Sequence, residues 1–317
     1  MSGTYHEGER AVQQRAGVRA MSERVAGGIH DAIPEAAGAF LAERRFIVAG
    51  WADRDGRVWA SPLWGPPGFA RADGEHAARI DAAPAAPGDP LPARLEKVEA
   101  EGGTLAMGFL ALDAATQRRM RLNGAAWAVP SERGGPSLRV AAGQVYANCP
   151  KYIQKRTPEE PTAVGAAALL PARRSDRLDA GQRARIAAVD TFFIATAHPE
   201  AGADASHRGG SPGFVRVWED GRTLAWADYS GNAMFNTLGN IAATGRAGLL
   251  FLDEETGDVL QLTGRAEVLW GTEAVAAAGA ADGEARAVRF TVEDSVESPG
   301  AFPLRARLTE YSRFNPV

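Results

Sequence analysis

Cysteine and lysine are nearly absent from this chain. Its 317 residues contain one cysteine, Cys149, and three lysines, Lys97, Lys151 and Lys155. A single cysteine excludes an intramolecular disulfide and any zinc-finger spacing. Histidine is scarce and scattered: His6, His30 and His76 show no metal-ligand spacing to Asp or Glu, and His198 sits in a His-Pro turn. A net charge of -4 leaves no basic footprint for nucleic acid. No apolar run is long enough to span a bilayer or to form a signal-peptide core, and the stretch from His6 to Arg10 is polar. The expectation is a soluble, cytoplasmic protein without nucleic-acid or membrane partners.

What the chain does have is the same pattern twice, about 140 to 145 residues apart. Gly108-Phe109-Leu110-Ala111-Leu112-Asp113 lines up with Gly248-Leu249-Leu250-Phe251-Leu252-Asp253, and the match continues without a gap through Leu122/Leu262 and Gly124/Gly264. Upstream, Ala60-Ser61 and Pro67-Gly68-Phe69 match Ala205-Ser206 and Pro212-Gly213-Phe214. Solenoid repeats have periods of about 20 to 50 residues. A repeat this long is a duplicated domain, and the chain length suits two domains of roughly 150 residues.

Each copy opens with a helix that feeds an apolar strand. The spacing predicts a helix over residues 5 to 27, a second from Pro34 to about Glu43, and the strand Phe46 to Ala49. In the second copy Asp179 is a good N-cap for a helix to about Val189, followed by the strand Phe192 to Ala195. Further on, Val259, Gln261, Thr263, Arg265 and Glu267 alternate with Leu260, Leu262, Ala266 and Val268, as do Arg119, Arg121 and Asn123 with Met120, Leu122 and Ala126. Asp55-Gly56 and Asp220-Gly221 are hairpin-turn dipeptides, and Glu255 to Asp258 reads as another turn. Short strands joined by tight turns suggest closed or nearly closed antiparallel barrels. The expected fold is mainly β with flanking helices (α+β), in two tandem barrels. Its parts are a helical segment over 1–44, a first barrel over 45–157, a linker over 158–178 and a second barrel over 179–317. The Ala-rich stretch from Glu273 to Ala285 reads as a weak helix or a loop, and the tryptophans, Trp51, Trp64, Trp218 and Trp226 among them, as core.

The second copy carries a polar, Gly- and Asn-rich stretch that the first has lost. It runs through His207-Arg208-Gly209-Gly210, then Asp228-Tyr229-Ser230-Gly231-Asn232, into a short helix from Met234 to Ile241. Glycine-rich turns and helix N-termini present backbone N–H groups that favour a phosphate. Ser230, Asn232, Asn236 and Thr237 add side-chain donors, with Arg208 or Arg216 as cations. The plain alternative is an ordinary Asn/Gly-rich turn before a capped helix. His207 is the candidate for hydrogen bonding or proton transfer beside a ligand, or else a solvated loop histidine.

The ordered set Asp190 to Pro199, Asp204 to Gly210, Pro212 to Val217, Asp228 to Asn232, Phe235 to Asn240, Gly248 to Phe251 and Leu260 to Arg265 resembles the pyridoxamine 5'-phosphate oxidase-like, FMN-binding split-barrel family. The likeness is closest to its tandem branch, which also shows the Cys149-Pro150-Lys151-Tyr152-Ile153-Gln154 string between its halves. It covers the second copy well and the first only in outline. It implies FMN in a groove between two barrels, packed as a homodimer or as a pseudo-dimer within one chain. By position, Phe214, Val215, Arg216 and Val217 would line the flavin. Asp228, Tyr229, Ser230 and Asn232 would contact it at strand ends, and Gln261 from a neighbouring strand. Asn236 and Thr237 fall where the oxidase has Arg-Lys on the phosphate, with Arg208 and Arg216 as replacements. Lys151 could reach across the interface to an anion, or be a solvated charge.

The substrate-phosphate motifs of pyridoxamine phosphate oxidation are not recognisable; Pro303-Leu304-Arg305 is at most a remnant. The resemblance therefore implies an FMN-dependent oxidoreductase acting on another small molecule, with NAD(P)H a possible donor. A non-catalytic flavin module, or one binding deazaflavin or haem, is the alternative. Cys149 reads as an inert packed thiol or as a thiolate favoured by the neighbouring lysines.

Overall fold

The computed structural model describes residues 4–159, 170–279 and 285–316. Helices α1 (Glu7–Arg15), α2 (Arg19–Ala26) and α3 (Glu35–Ala42) lead into a sheet made of β1 (Phe46–Ala52), β2 (Val58–Trp64), β3 (Ala70–Ala72), β4 (Ala77–Asp81), β5 (Leu105–Asp113), β6 (Arg118–Ala128) and β7 (Ser137–Ala147), with α4 (Leu91–Ala100) between β4 and β5. Next come β8 (Lys155–Pro158), β9 (Arg173–Ser175) and α5 (Ala180–Ala188). The second sheet holds β10 (Thr191–His198), β11 (Gly202–Gly209), β12 (Val215–Val217), β13 (Thr223–Ala227), β14 (Arg246–Leu252), β15 (Val259–Trp270) and β16 (Arg286–Ser298), with β9 paired to β16. Helices α6 (Asn236–Thr244) and α7 (Thr272–Ala278) interrupt it, and β17 (Ala306–Glu310) returns to pair with β8.

The strand orders, β2-β1-β5-β6-β7-β4-β3 and β11-β10-β14-β15-β16-β13-β12, are one permutation written twice. Both sheets also carry a bulge at equivalent places, Asn123/Gly124 and Thr263/Gly264. The repeat in sequence is thus a repeat in topology, and the fold is two antiparallel split barrels with helices. Each encloses its own apolar core, around Phe109 and Trp59 in the first and around Phe290 and Trp226 in the second.

A third apolar cluster joins the barrels face to face, with Val48, Ala60 and Leu110 from one side and Phe193, Ala205 and Leu250 from the other. Glycine permits this close approach. A Cβ on Gly108 would lie 2.5 Å from Asp204 Cα, and one on the matching Gly248 would lie 2.5 Å from the Val58 carbonyl oxygen. The two glycines that open the repeated motif are the points where strands of opposite barrels cross.

Three expectations need correction. Residues 5–27 form two helices, because Gly17 turns the chain at φ +70° between them. The alternation along β15 holds only beyond its bulge. Before it both faces are buried, Leu260 and Leu262 in their own barrel, Val259 and Gln261 against the first. Trp218 is 38% exposed instead of core. The first helix packs on α6 of the second barrel: Val12 joins that core and Gln13 Nε2 donates to the Met234 carbonyl at 2.9 Å. Asp179 caps α5 as expected, in a capping box with Gln182. Within the Ala-rich stretch α7 is helical, and residues 280–284 lie outside the described residues, as do 160–169 of the linker. Among the described residues no helix is long and apolar enough to cross a membrane.

Candidate functional site

The polar stretch of the second barrel meets two arginines of the first. β11 presents Asp204, Ser206, His207 and Arg208, the loop after β13 presents Asp228 to Phe235, and α6 begins immediately behind them. β6 sends Arg119 and Arg121 across the interface, two residues apart and so on one face of the strand. They enclose a cavity of about 90 Å3 at the N-terminus of α6, whose first turn no side chain caps. Uncapped helix N–H groups carry partial positive charge.

Arg121 is buried, and both of its terminal nitrogens are engaged. It donates to Asp204 Oδ1 at 2.8 Å, to the Tyr146 hydroxyl at 3.2 Å and to Ser206 Oγ, which in turn lies 2.8 Å from Thr237 Oγ1. Asn236 Oδ1 accepts from Tyr146, and its Nδ2 donates to Glu9 Oε1 at 2.5 Å. Burial first, and then Asp204, push the Glu9 carboxyl up to about 7 against these hydrogen bonds. Ser22 Oγ donates to the Ala233 carbonyl at 2.7 Å, so the N-terminal helices brace the loop and the helix together.

Arg208 is neutralised by Asp228 at 2.7 Å. Arg119 has no carboxylate partner among the described residues. Its guanidinium donates to His207 Nδ1 at 3.2 Å and approaches Cys149 Sγ at 3.9 Å. Burial, then the neighbouring Arg121, push it down to about 10. An arginine cannot accept a hydrogen bond, so His207 Nδ1 is the acceptor and its ring is neutral with the proton on Nε2. Burial and the charges of Arg119, Arg156 and Arg208 hold its pKa well below the usual histidine range. His207 can hydrogen-bond, but it is not poised to take up a proton.

Several donors in the cavity wall have no protein partner: Arg119 Nε, Arg121 Nε, Arg208 Nε, Trp226 Nε1 and Asn148 Nδ2. Buried polar groups are normally satisfied, and this set suits a multiply charged oxyanion. The backbone here is strained as well. Tyr152, Ala233 and Phe235 hold φ values of +66°, +62° and +61°, each costing about 1–3 kcal/mol. Tyr152 also closes the mouth, its hydroxyl donating to the Ser230 carbonyl at 2.8 Å and its ring 5.2 Å from that of Tyr229. The donor set fits the phosphate of FMN. The enclosed volume fits only that end, since ligand pockets usually hold about 300 Å3 or more.

His207, Arg208, Phe214, Asp228, Tyr229, Asn232, Asn236 and Thr237 all line this cavity, and Ser230 flanks it through its carbonyl. The other expected residues do not line it. Val215, Arg216 and Val217 form β12, at the opposite end of the sheet path from β11; Val215 faces the barrel core, and Arg216 donates to the Ala276 carbonyl. Lys151 lies over the Phe314 ring at 5.8 Å. Gln261 points into the first barrel, donating to the Ala60 carbonyl at 2.9 Å and to Ser61. Arg119, Arg121, Tyr146, Asn148 and Tyr152 were missed. Their one sequence signal is a break in the repeat, where Arg119 and Arg121 stand against Val259 and Gln261.

That break has a structural counterpart. Gln261, Ser61 and Asp89 at the start of α4 occupy the pseudo-symmetric equivalent of Arg121, Ser206 and the start of α6, and all three are buried. A neutral amide replaces the cation and an acid stands at the helix start, so the cationic cradle is kept at only one of the two positions. Burial pushes Asp89 from 3.8 up to about 6. Its stabilising contribution is therefore full below pH ~4 and lost as pH rises through ~6. An Asp89→Asn variant should melt higher than the parent at pH 8, with the gap closing by pH 4. A gap independent of pH would contradict this.

A model of the pyridoxamine 5'-phosphate oxidase family matches residues 178–307. The second barrel belongs to the pyridoxamine 5'-phosphate oxidase-like, FMN-binding split-barrel family. A comparison with curated proteins found no match. Solved structures that resemble the chain include a Lactobacillus delbrueckii protein described as a candidate pyridoxamine 5'-phosphate oxidase (15% identity, 38% of this chain and 94% of that one, TM-score 0.32). Others are HupZ of Group A Streptococcus (16%, 43% and 98%, TM-score 0.30) and an FAD binding protein of Mycobacterium smegmatis (15%, 40% and 99%, TM-score 0.28). The assignment rests on the family model, not on these distant likenesses.

Proposed function

We propose that this protein binds FMN between its barrels and uses it as an oxidoreductase on a small molecule other than pyridoxamine phosphate. The carrying observation is Arg119, a half-buried cation with no carboxylate partner among the described residues, facing an uncapped helix N-terminus and a ring of unpartnered donors. Arg119, Trp226 and the first turn of α6 would hold the phosphate. Arg121, Asp204, Ser206, Thr237 and Asn236 keep that turn in place. His207 would offer a fixed, neutral hydrogen bond. Bound FMN would supply hydride or electron transfer, which needs no protein base.

The lowered pKa of His207 removes the one candidate for proton transfer and favours a second reading, a flavin carrier or redox partner without turnover. The absorption spectrum of the purified protein, with mass identification of the released ligand, tests the cofactor. Released FMN supports both readings, and rapid bleaching by NADH or NADPH selects the enzyme. A colourless protein that also fails to bind added FMN would overturn both.

A further inference from the structure

Arg119 and Asn148 form a wall shared by the anion cradle and a larger cavity of about 540 Å3. This second space lies between the α2–α3 connection and the ends of β6 and β7. Its sides are mostly apolar, from Pro34, Ala37, Phe40, Met120 and Val145. Its charged and titratable lining consists of Arg118, Arg119, His30 and the phenol of Tyr146, with no Asp or Glu. Against a net charge of -4 for the chain, that is a sorted distribution.

A third cavity, of about 410 Å3 near the linker, shows the opposite sorting. It is lined by Asp190, Asp253, Glu254, Glu255 and Asp258, with Arg156 and Arg185 already tied to carboxylates. In the 540 Å3 cavity neither arginine has a carboxylate partner among the described residues. Arg118 instead lies over the Phe40 ring at 5.1 Å. Of the five N–H groups of an arginine, Arg119 uses one on His207 and one on Cys149. Its Nε and both amide atoms of Asn148 are buried and unpartnered. An apolar chamber of ligand size with unsatisfied donors at its inner end recognises an apolar body carrying one anionic group.

We propose that this cavity binds an organic carboxylate with an apolar body of aromatic size, its carboxylate meeting Arg119 and Asn148. The site needs no flavin. Where FMN is also bound, the shared Arg119 would place the carboxylate next to the phosphate end of the flavin.

Titration of the full chain with 2-naphthoate, followed by calorimetry, tests it with and without added FMN. Naphthoate should bind one per chain in both conditions, and 2-naphthylmethylamine, its cationic counterpart, should not. Ala36→Trp, at an exposed position on the cavity rim, should abolish naphthoate binding and leave FMN binding unchanged. Arg119→Met should weaken naphthoate about tenfold to hundredfold. Equal affinity in the parent and Ala36→Trp, equal binding of acid and amine, or no binding to the parent would each overturn the proposal. Loss of naphthoate whenever FMN is present would also overturn it, by assigning the cavity to the flavin ring. Failure to bind FMN with naphthoate binding intact would instead overturn only the flavin reading.

Discussion

Replacing Arg119 with methionine is expected to weaken FMN binding about tenfold to hundredfold while leaving the fold intact. Hydrogen bonds to charged groups contribute about 1.5–3 kcal/mol, and 1.4 kcal/mol is about tenfold in affinity. Because Arg119 pairs with no carboxylate among the described residues, its loss leaves no buried anion stranded. Methionine keeps much of the side-chain volume. Flavin-fluorescence titrations would show FMN affinity falling while that of riboflavin, which lacks the phosphate, stays unchanged. An equal loss for both ligands would mean that Arg119 packs the groove and does not read the phosphate. No loss for either would remove it from the site.

Gly248→Val should be among the most destabilising exchanges in the molecule, costing about 3 kcal/mol. The added Cβ would lie 2.5 Å from the Val58 carbonyl and 2.7 Å from Trp59 Cα. Both are backbone atoms inside a sheet, so neither can swing aside as a long side chain would. The strands must part, and the apolar seam around Phe193 and Leu250 parts with them. FMN binding should be lost together with stability, because the cradle takes residues from both sides of that seam. Urea unfolding measures the first effect and FMN titration the second. A variant that unfolds like the parent would mean that the barrels are less tightly seated than this packing requires.

The fold was readable because duplication repeats its signals. A motif such as Gly108 to Asp113, seen again at Gly248 to Asp253, shows two equal domains, and their turn dipeptides mark the strand ends. The second-barrel half of the site was readable too, since Ser206, His207, Asn236 and Thr237 are concentrated in one short polar stretch. The first-barrel half was not. Arg119 and Arg121 look like the exposed face of an alternating strand, and only the crossing of the barrels makes that face interior. Gln261 was misplaced for the same reason. Its strand faces the opposite barrel, so it serves the pseudo-symmetric position beside Asp89 and not the cradle of its own domain. The bracing of α6 by α1 was hidden because Val12 is its one small apolar contact in the barrel core, and Glu9 and Gln13 look like solvated polar residues until their distant partners are known.

The asymmetry between the two pseudo-equivalent positions is the centre of this account, and FMN stoichiometry tests it most directly. Titration calorimetry on protein of known chain concentration should give one FMN per 317-residue chain. Two per chain would mean that the buried Gln261–Ser61–Asp89 position also opens to a ligand. One per two chains would mean that the site is built between molecules. Either result, or an absence of binding, would contradict a single cradle assembled by the two barrels of one chain.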